Sequence, residues 1–320
     1  MKFYNTIFQK SWKVTKKQRV LWLLGFFTLF WGGKGIELEI FSTNGNLLNS
    51  RFSPFNPQFW ELDQWAQLID QALAPNLTLA AMVIASLVLG IFVLVLIMYS
   101  QIGLVDGFAK AVRTRSKKKI TLGQVVESGE KHFWPVLWVN LIGKGVSYLL
   151  LALVALPLFL ANVQTSKLVI SLLLFLVLTP LAILISMLIK FAVADIVIKG
   201  SGTKEAIRKS WELFRHNAGV SIELAFLMFF AYFLVVLLGV LFGALAAVPL
   251  LFFGAALLIS AQTIVGVYLY TFAAYSLSFV LVVFGVIVFS AWHYGNWTLL
   301  YLELTKGKKR SKIHRAYHGK

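Results

Sequence analysis

The sequence predicts an all-α integral membrane helical bundle, with about six transmembrane helices in three hairpins and amphipathic helices on the cytoplasmic surface. Hydrophobic residues make up 59% of the 320-residue chain, charged residues only 13%, and the mean hydropathy is +0.79. Soluble globular proteins do not reach these values. Apolar runs of about 20 residues recur, which is the length that one helix needs to cross roughly 30 Å of hydrocarbon. Three of these runs follow a short polar or basic segment, which predicts the surface helices.

The N-terminal segment predicts a basic amphipathic helix that lies on an anionic leaflet. Residues 1–19 contain six Lys and Arg and no acid, with aromatic and aliphatic residues at roughly helical spacing. The first span follows at about 20–33. We interpret it as a retained span rather than a signal peptide, because its apolar run is bulky and no small-residue cleavage site follows closely.

The composition becomes polar and acidic over residues 34–76, which we predict to be an extracytoplasmic loop. The second span, 77–105, leads into a strongly basic segment. Thr121 and Gln124 then have the spacing of a capping box, in which each residue's side chain satisfies a backbone N–H of the other. This pair predicts the start of the helix that leads into the third span.

The rest of the chain alternates spans with short connections. Further spans are predicted at 135–161, 167–196, 219–253 and 263–304. The stretch 219–304 is too long for one crossing, so it forms either two long helices with a turn near 254–262 or four shorter ones. Together, residues 1–305 make one polytopic membrane domain, and 306–320 are a basic cytoplasmic tail.

The distribution of lysine and arginine predicts the orientation. Of the 30 basic residues, 25 fall in the lead-in, the two basic loops and the tail, all on one side of the predicted topology. Basic loops stay in the cytoplasm, so both termini are expected there, in a bacterial inner membrane or plasma membrane. The net charge of +17 then indicates attraction to anionic lipid headgroups. Membrane lipids, and a protein in the membrane, are the expected partners, and nucleic acid is not needed to explain the charge.

Three segments align on a shared serine and predict an internal repeat. They are centred on Ser11, Ser128 and Ser210, and each precedes a pair of spans. The clearest copy is 203–219, TKEAIRKSWELFRHNAG, in which Ile207, Trp211 and Phe214 share one helical face. The repeat predicts three similar hairpins around an axis normal to the membrane. The predicted interfacial anchors are Trp12, Trp134, Trp211 and Phe214.

Two stretches carry a resemblance to a known family. They are LWLLGFF in the first span and ADIVIKGSGTKEAIRKSWELFRHN between the fourth and fifth spans. With the six-span layout, the chain resembles uncharacterised bacterial membrane proteins that are similar to the membrane domain attached to some glycerophosphodiester phosphodiesterases. In that family the activity belongs to a separate soluble barrel. This chain has no room for one, so the resemblance implies no catalysis.

Ionisable side chains inside the spans are the candidate functional residues, because each is costly in hydrocarbon. Lys144, flanked by Gly143 and Gly145, is placed to contact a substrate or anion; the alternative is a lysine that pairs with a carboxylate or extends to the interface. Four more residues complete the candidate intramembrane polar site: Lys190, Asp195, Glu223 and His293. A pair of Glu223 with Lys144 or Lys190 would fix helix register, and His293 is a candidate proton-linked group.

Motifs for catalysis, metal binding and nucleotide binding are absent from the sequence, which also lacks cysteine. No cofactor and no metal are therefore predicted. The expected function is non-enzymatic: the protein organises lipids or a membrane partner. The alternative is a transporter that moves a small or lipidic substrate through a bundle containing Lys144.

Overall fold

The computed structural model describes residues 2–31, 77–113, 120–160, 164–261 and 264–306, and every regular element in these ranges is an α-helix. The helices are α1 (Lys2–Lys17), α2 (Val20–Trp31), α3 (Leu77–Arg113), α4 (Leu122–Leu160), α5 (Gln164–Lys199), α6 (Thr203–His216), α7 (Ala218–Ala261) and α8 (Ile264–Thr305). The predicted loop 34–76 and nearly all of the basic tail lie outside the described residues.

Five of these helices, α3, α4, α5, α7 and α8, are long and apolar enough to cross a membrane. They contain 36 to 44 residues, or about 54 to 66 Å at 1.5 Å per residue. The expected multi-pass helical bundle is therefore confirmed. Helix α2 is apolar but has only 12 residues, about 18 Å. The long stretch after α6 consists of the two helices α7 and α8.

The helices form three units in a ring. Each unit ends in a long helix, α3, α5 or α8, and these three contact one another at the centre of the bundle. Each unit also begins with a segment that packs on the last helix of the preceding unit: the start of α4 on α3, α6 on α5, and α1 on α8. The contacts thus follow the three-hairpin arrangement that the repeat predicts.

The three serines of the repeat occupy matching places. Ser11, Ser128 and Ser210 are all buried. Seven residues after each serine the chain reaches the junction between the first segment and the apolar helix that follows it: Gln18 lies between α1 and α2, and Asn217 separates α6 from α7. In the second copy this position is Pro135, inside α4. Proline lacks the N–H for the helical hydrogen bond, yet here the helix continues.

This continuity corrects one expectation. The segment around Ser128 is the first part of α4 and not a separate surface helix. Its predicted cap is present in part, since the backbone N–H of Thr121 donates to Oε1 of Gln124 at 3.4 Å. Only the first and third copies, α1 and α6, are separate helices.

The buried residues concentrate at one end of the bundle, which we call the packed end. It comprises α1, α2, α6 and the adjoining parts of the long helices. Side chains such as Phe108, Phe191 and Leu224 are fully enclosed there. Glycines permit close approach: a Cβ on Gly25 of α2 would lie 2.7 Å from the Ile287 carbonyl oxygen of α8. The packed end therefore has the dense interior of a globular domain.

The opposite parts of the long helices, which we call the outer halves, are covered with exposed apolar side chains. Residues 81–91 of α3 are exposed at every position. Helices α7 and α8 do pair in this region, where the Ser278 hydroxyl of α8 donates to the Gly243 carbonyl of α7 at 2.8 Å. The outer halves thus have the apolar surface that a lipid environment requires.

Candidate functional site

A buried carboxylate lies where α5, α6 and α8 meet at the packed end. Asp195 of α5 is 1% exposed and accepts a hydrogen bond from the Tyr301 hydroxyl of α8. Lys199, one turn further along α5, places its Nζ 3.3 Å from Oδ1 of Asp195. Buried charges are stable only when they are paired and hydrogen-bonded. Oδ1 of Asp195 meets that condition, whereas Oδ2 has no hydrogen-bond partner among the described residues.

Helix α6 joins this cluster through Lys209. The Nζ of Lys209 lies 4.0 Å from Oδ2 of Asp195, 2.6 Å from Oε1 of Glu205 and 3.2 Å from the Ser201 hydroxyl. The hydrogen bond to Glu205, followed by the charge of Asp195, raises the pKa of Lys209. Lys209 therefore remains a cation and connects α6 to the centre of the bundle.

The turn before α6 makes this contact possible. Gly200 has φ 72°, in the left-handed region that favours glycine, and its N–H donates to the Ile196 carbonyl at 2.8 Å. A glycine in this conformation is a common helix end. It ends α5 beside Asp195 and turns the chain so that α6 packs back on α5.

A second polar group lies about one turn nearer the outer half. The ammonium of Lys190 on α5 lies over the ring of Trp297 on α8, 4.8 Å from its centroid. The Phe191 and His293 rings lie 5.6 and 6.3 Å from the same indole. The structure thus brings together three predicted residues, Lys190, Asp195 and His293, along the contact between α5 and α8.

Lys144 lies elsewhere, on α4. Its half-buried side chain places Nζ 5.6 Å from the ring centroid of Tyr148, one turn along the same helix. The two flanking glycines differ, because a Cβ on Gly143 would clash with Ile189 of α5, whereas Gly145 has open space around it. Only Gly143 therefore permits the close helix approach that both were expected to allow.

Glu223 is also separate from the α5–α8 contact. It lies near the start of α7 and accepts a hydrogen bond from the Tyr4 hydroxyl of α1. The Tyr4 hydroxyl also lies 3.3 Å from the Val220 carbonyl oxygen. Burial first, and then the hydrogen bond to Glu223, raise the pKa of Tyr4. Glu223 thus holds α1 on α7, instead of forming the lysine pair proposed from the sequence.

The predicted interfacial anchors divide into two groups. Trp12, Trp134 and Trp211 are exposed, by 48%, 65% and 47%. Phe214 is only 7% exposed and belongs to the core. The buried face of α6 is Ala206, Ser210 and Phe214, which corrects the predicted face of Ile207, Trp211 and Phe214. The helix is rotated because its small residues pack closely on the bundle and leave Trp211 outside.

Four residues of the site were not predicted from the sequence: Tyr301, Lys199, Lys209 and Trp297. One available signal was the recurrence of an aspartate with a lysine four residues later near the ends of α3 and α5, at Asp106 with Lys110 and Asp195 with Lys199. Both are ion pairs in the structure, at 2.7 and 3.3 Å. The cross-helix partners had no local signal, since Tyr301 is 106 residues from Asp195.

The arrangement pairs charges and connects α5, α6 and α8. In the described part of the chain, no three His, Asp or Glu side chains are grouped so as to hold a metal ion. No protein-family model, curated protein or solved structure matches the chain.

Proposed function

We propose that this protein is a non-enzymatic membrane scaffold that gathers anionic lipids around its packed end and presents that surface to a membrane partner. The proposal places the packed end and both termini on the cytoplasmic side, in a bacterial inner membrane or plasma membrane. The predicted resemblance is to the membrane domain attached to some glycerophosphodiester phosphodiesterases, whose activity belongs to a separate barrel, and it is consistent with this role.

The observation that carries the proposal is the matched exposure of α1 and α6. Each helix buries the serine of the repeat and exposes the tryptophan that follows it, Trp12 or Trp211. Basic residues are exposed on the same two helices: Lys10, Lys13, Lys16, Lys17, Lys204, Arg208 and Arg215. Tryptophan favours the membrane interface, and each Lys or Arg near an anionic surface contributes about 1 kcal/mol of attraction.

The position of Lys144 favours the scaffold over the transporter. A transport site needs a solvated cavity that reaches the charged group, but the ammonium of Lys144 lies over Tyr148 of its own helix. At the packed end, the central helices are enclosed by large side chains such as Phe108 and Phe191. These observations support a filled bundle whose interactions with lipid occur at its surface.

The test compares lipid retention by the wild type and by the variant Lys204→Gln, Arg208→Gln, Arg215→Gln. Both proteins are placed in nanodiscs containing phosphatidylcholine and phosphatidylglycerol, and the lipids that remain bound after extraction are identified by native mass spectrometry. Removing three surface charges is expected to reduce retention of phosphatidylglycerol at least tenfold, since together they contribute up to about 3 kcal/mol.

Phosphatidylcholine retention, and thermal stability in phosphatidylcholine alone, serve as controls and should not change. Equal phosphatidylglycerol retention by the two proteins would reject the proposed lipid-gathering role of α6. The transport alternative has its own measurement: substrate uptake that Lys144→Ala abolishes would favour a transporter.

A further inference from the structure

Two adjacent side chains in the centre of the bundle have hydrogen-bonding atoms that the described protein groups do not satisfy. Asn296 is 0% exposed and Trp297 is 3% exposed. The amide nitrogen of Asn296 contacts the sulfur of Met228 at 3.5 Å. Within the described residues, its Oδ1 and the Nε1 of Trp297 have no hydrogen-bond partner. Buried polar groups are nearly always hydrogen-bonded, so both atoms indicate a bound molecule.

The two unsatisfied atoms are complementary. The indole N–H is a donor only, and the Asn296 Oδ1 is an acceptor. A single molecule that accepts one hydrogen bond and donates another satisfies both. A carboxylate can accept from Trp297 but has no proton to donate to Asn296, whereas a hydroxylic molecule such as water can do both.

His293 is a neighbour of both residues on the surface of α8. Residues three and four apart are neighbours on a helix surface, so Asn296 and Trp297 both adjoin His293. The His293 ring lies 6.3 Å from the Trp297 ring, and Lys190 of α5 covers the same indole. A buried water needs two to four polar partners, and these side chains supply that polarity.

The location is central to the bundle. Gly295, the preceding residue, packs against Ser11 of α1 and Phe108 of α3. Asn296 faces Met228 of α7, and Trp297 packs on Phe191 of α5. The segment 295–297 therefore contacts all three units of the ring, and a molecule bound there lies where the units meet.

We propose that Asn296 and Trp297, beside His293, bind one enclosed water molecule that accepts from the indole N–H and donates to the amide oxygen. This site is independent of lipid binding at the packed end. The water completes the polar interior at the junction of the three units and helps to hold α8 in register with α5 and α7.

The first test uses the sign of a stability change. Leucine has nearly the shape of asparagine, so Asn296→Leu raises the melting temperature if the oxygen is truly unsatisfied and lowers it if the oxygen binds water. We expect a decrease of about 2–4 °C. Asn140→Leu is the matched control, because the amide of Asn140 donates directly to Gln101 Oε1 at 2.8 Å, and it should lower the melting temperature as well.

A double-mutant cycle then asks whether both side chains share the molecule. Trp297→Phe removes the donor and also some ring volume. Trp297→Phe should lower the melting temperature less when Asn296 is already leucine. The decrease for the double variant should therefore be smaller than the sum of the two single decreases. An unchanged or raised melting temperature for Asn296→Leu, or strict additivity, would overturn the proposal.

An experimental density map of the wild-type protein gives an answer that does not depend on whether the variants fold. A single water-sized peak within hydrogen-bond distance of Trp297 Nε1 and Asn296 Oδ1 supports the proposal. Elongated density of a bound organic molecule, or closely packed side chains with no peak, overturns it.

Discussion

The packed end and the outer halves are parts of the same long helices, yet different interactions hold them. At the packed end, three helices converge on Asp195, and a Cβ on Gly295 would come within 2.5 Å of the Phe108 ring. In the outer half of α3, Gly90 has open space around it and Leu89 is 62% exposed. One region requires particular residues, and the other requires mainly apolar ones.

The difference follows from the solvent. Lipid chains are as apolar as leucine, so burying one apolar helix face against another gives little hydrophobic gain inside the membrane. In the proposed placement of the packed end, water or headgroups are the alternative to packing, so burial there contributes about 25 cal/mol per Å² of apolar surface. Stability should therefore be sensitive to substitution at the packed end and tolerant in the outer halves.

The largest effect is expected for Asp195→Ala. The substitution leaves Lys199, Lys209 and Tyr301 without their shared carboxylate. Breaking a fully buried pair costs about 3–5 kcal/mol, but these lysines are 44% and 37% exposed and can turn towards water. We expect the free energy of unfolding to fall by roughly 2–3 kcal/mol, measured by circular dichroism during denaturation in mixed micelles.

Asp106→Ala is the matched control, since it removes the equivalent pair with Lys110, whose side chain is 58% exposed. Surface pairs contribute about 0–1 kcal/mol, so the free energy of unfolding of Asp106→Ala should differ little from that of the wild type. Equal decreases in the free energy of unfolding for Asp195→Ala and Asp106→Ala would show that the burial of Asp195 does not make its ion pairs more stabilising than that of Asp106.

A smaller effect is expected from adding one methyl group in each region. Gly295→Ala places a Cβ against Phe108 and the Ser11 hydroxyl, and such overpacking costs about 1–3 kcal/mol. Gly90→Ala meets no atom within 4 Å, and alanine is the better helix former by about 1 kcal/mol. The measured free energy of unfolding should therefore decrease for Gly295→Ala, and should increase or stay unchanged for Gly90→Ala. A comparable loss at Gly90 would mean that α3 is covered there.

The helical bundle could be predicted from the sequence because each membrane-crossing helix needs a long apolar run, which is visible in the sequence. The sequence also predicted the three-unit order, since the buried serines recur at matching places. It did not predict the rotation of α6, because an apolar stripe does not reveal whether lipid or protein covers it. The partners of Asp195 and Glu223 were missed for a related reason: Tyr301 and Tyr4 are distant in sequence, and helix register decides which side chains meet.

The smallest effect concerns how α1 is held at the packed end, and it depends on pH. The pKa of Tyr4 is raised above its usual value near 10 in the folded protein by burial and by Glu223. In the unfolded chain the hydroxyl loses its proton near pH 10, whereas the folded protein retains it. Stability from this group is therefore complete below pH 10 and decreases as pH rises further, by up to about 1.4 kcal/mol per pH unit.

Tyr4→Phe should lower the free energy of unfolding by about 1 kcal/mol at pH 8, since it removes the hydrogen bond to Glu223. That deficit relative to the wild type should shrink between pH 10 and pH 11, because only the wild type has a Tyr4 proton to lose. Tyr275→Phe, at a tyrosine 71% exposed in the outer half of α8, is the matched control at pH 8 and should leave the free energy of unfolding nearly unchanged. A deficit for Tyr4→Phe that stays constant with pH would mean that the Tyr4 hydroxyl ionises equally in the folded and unfolded states, and would contradict the predicted pH dependence.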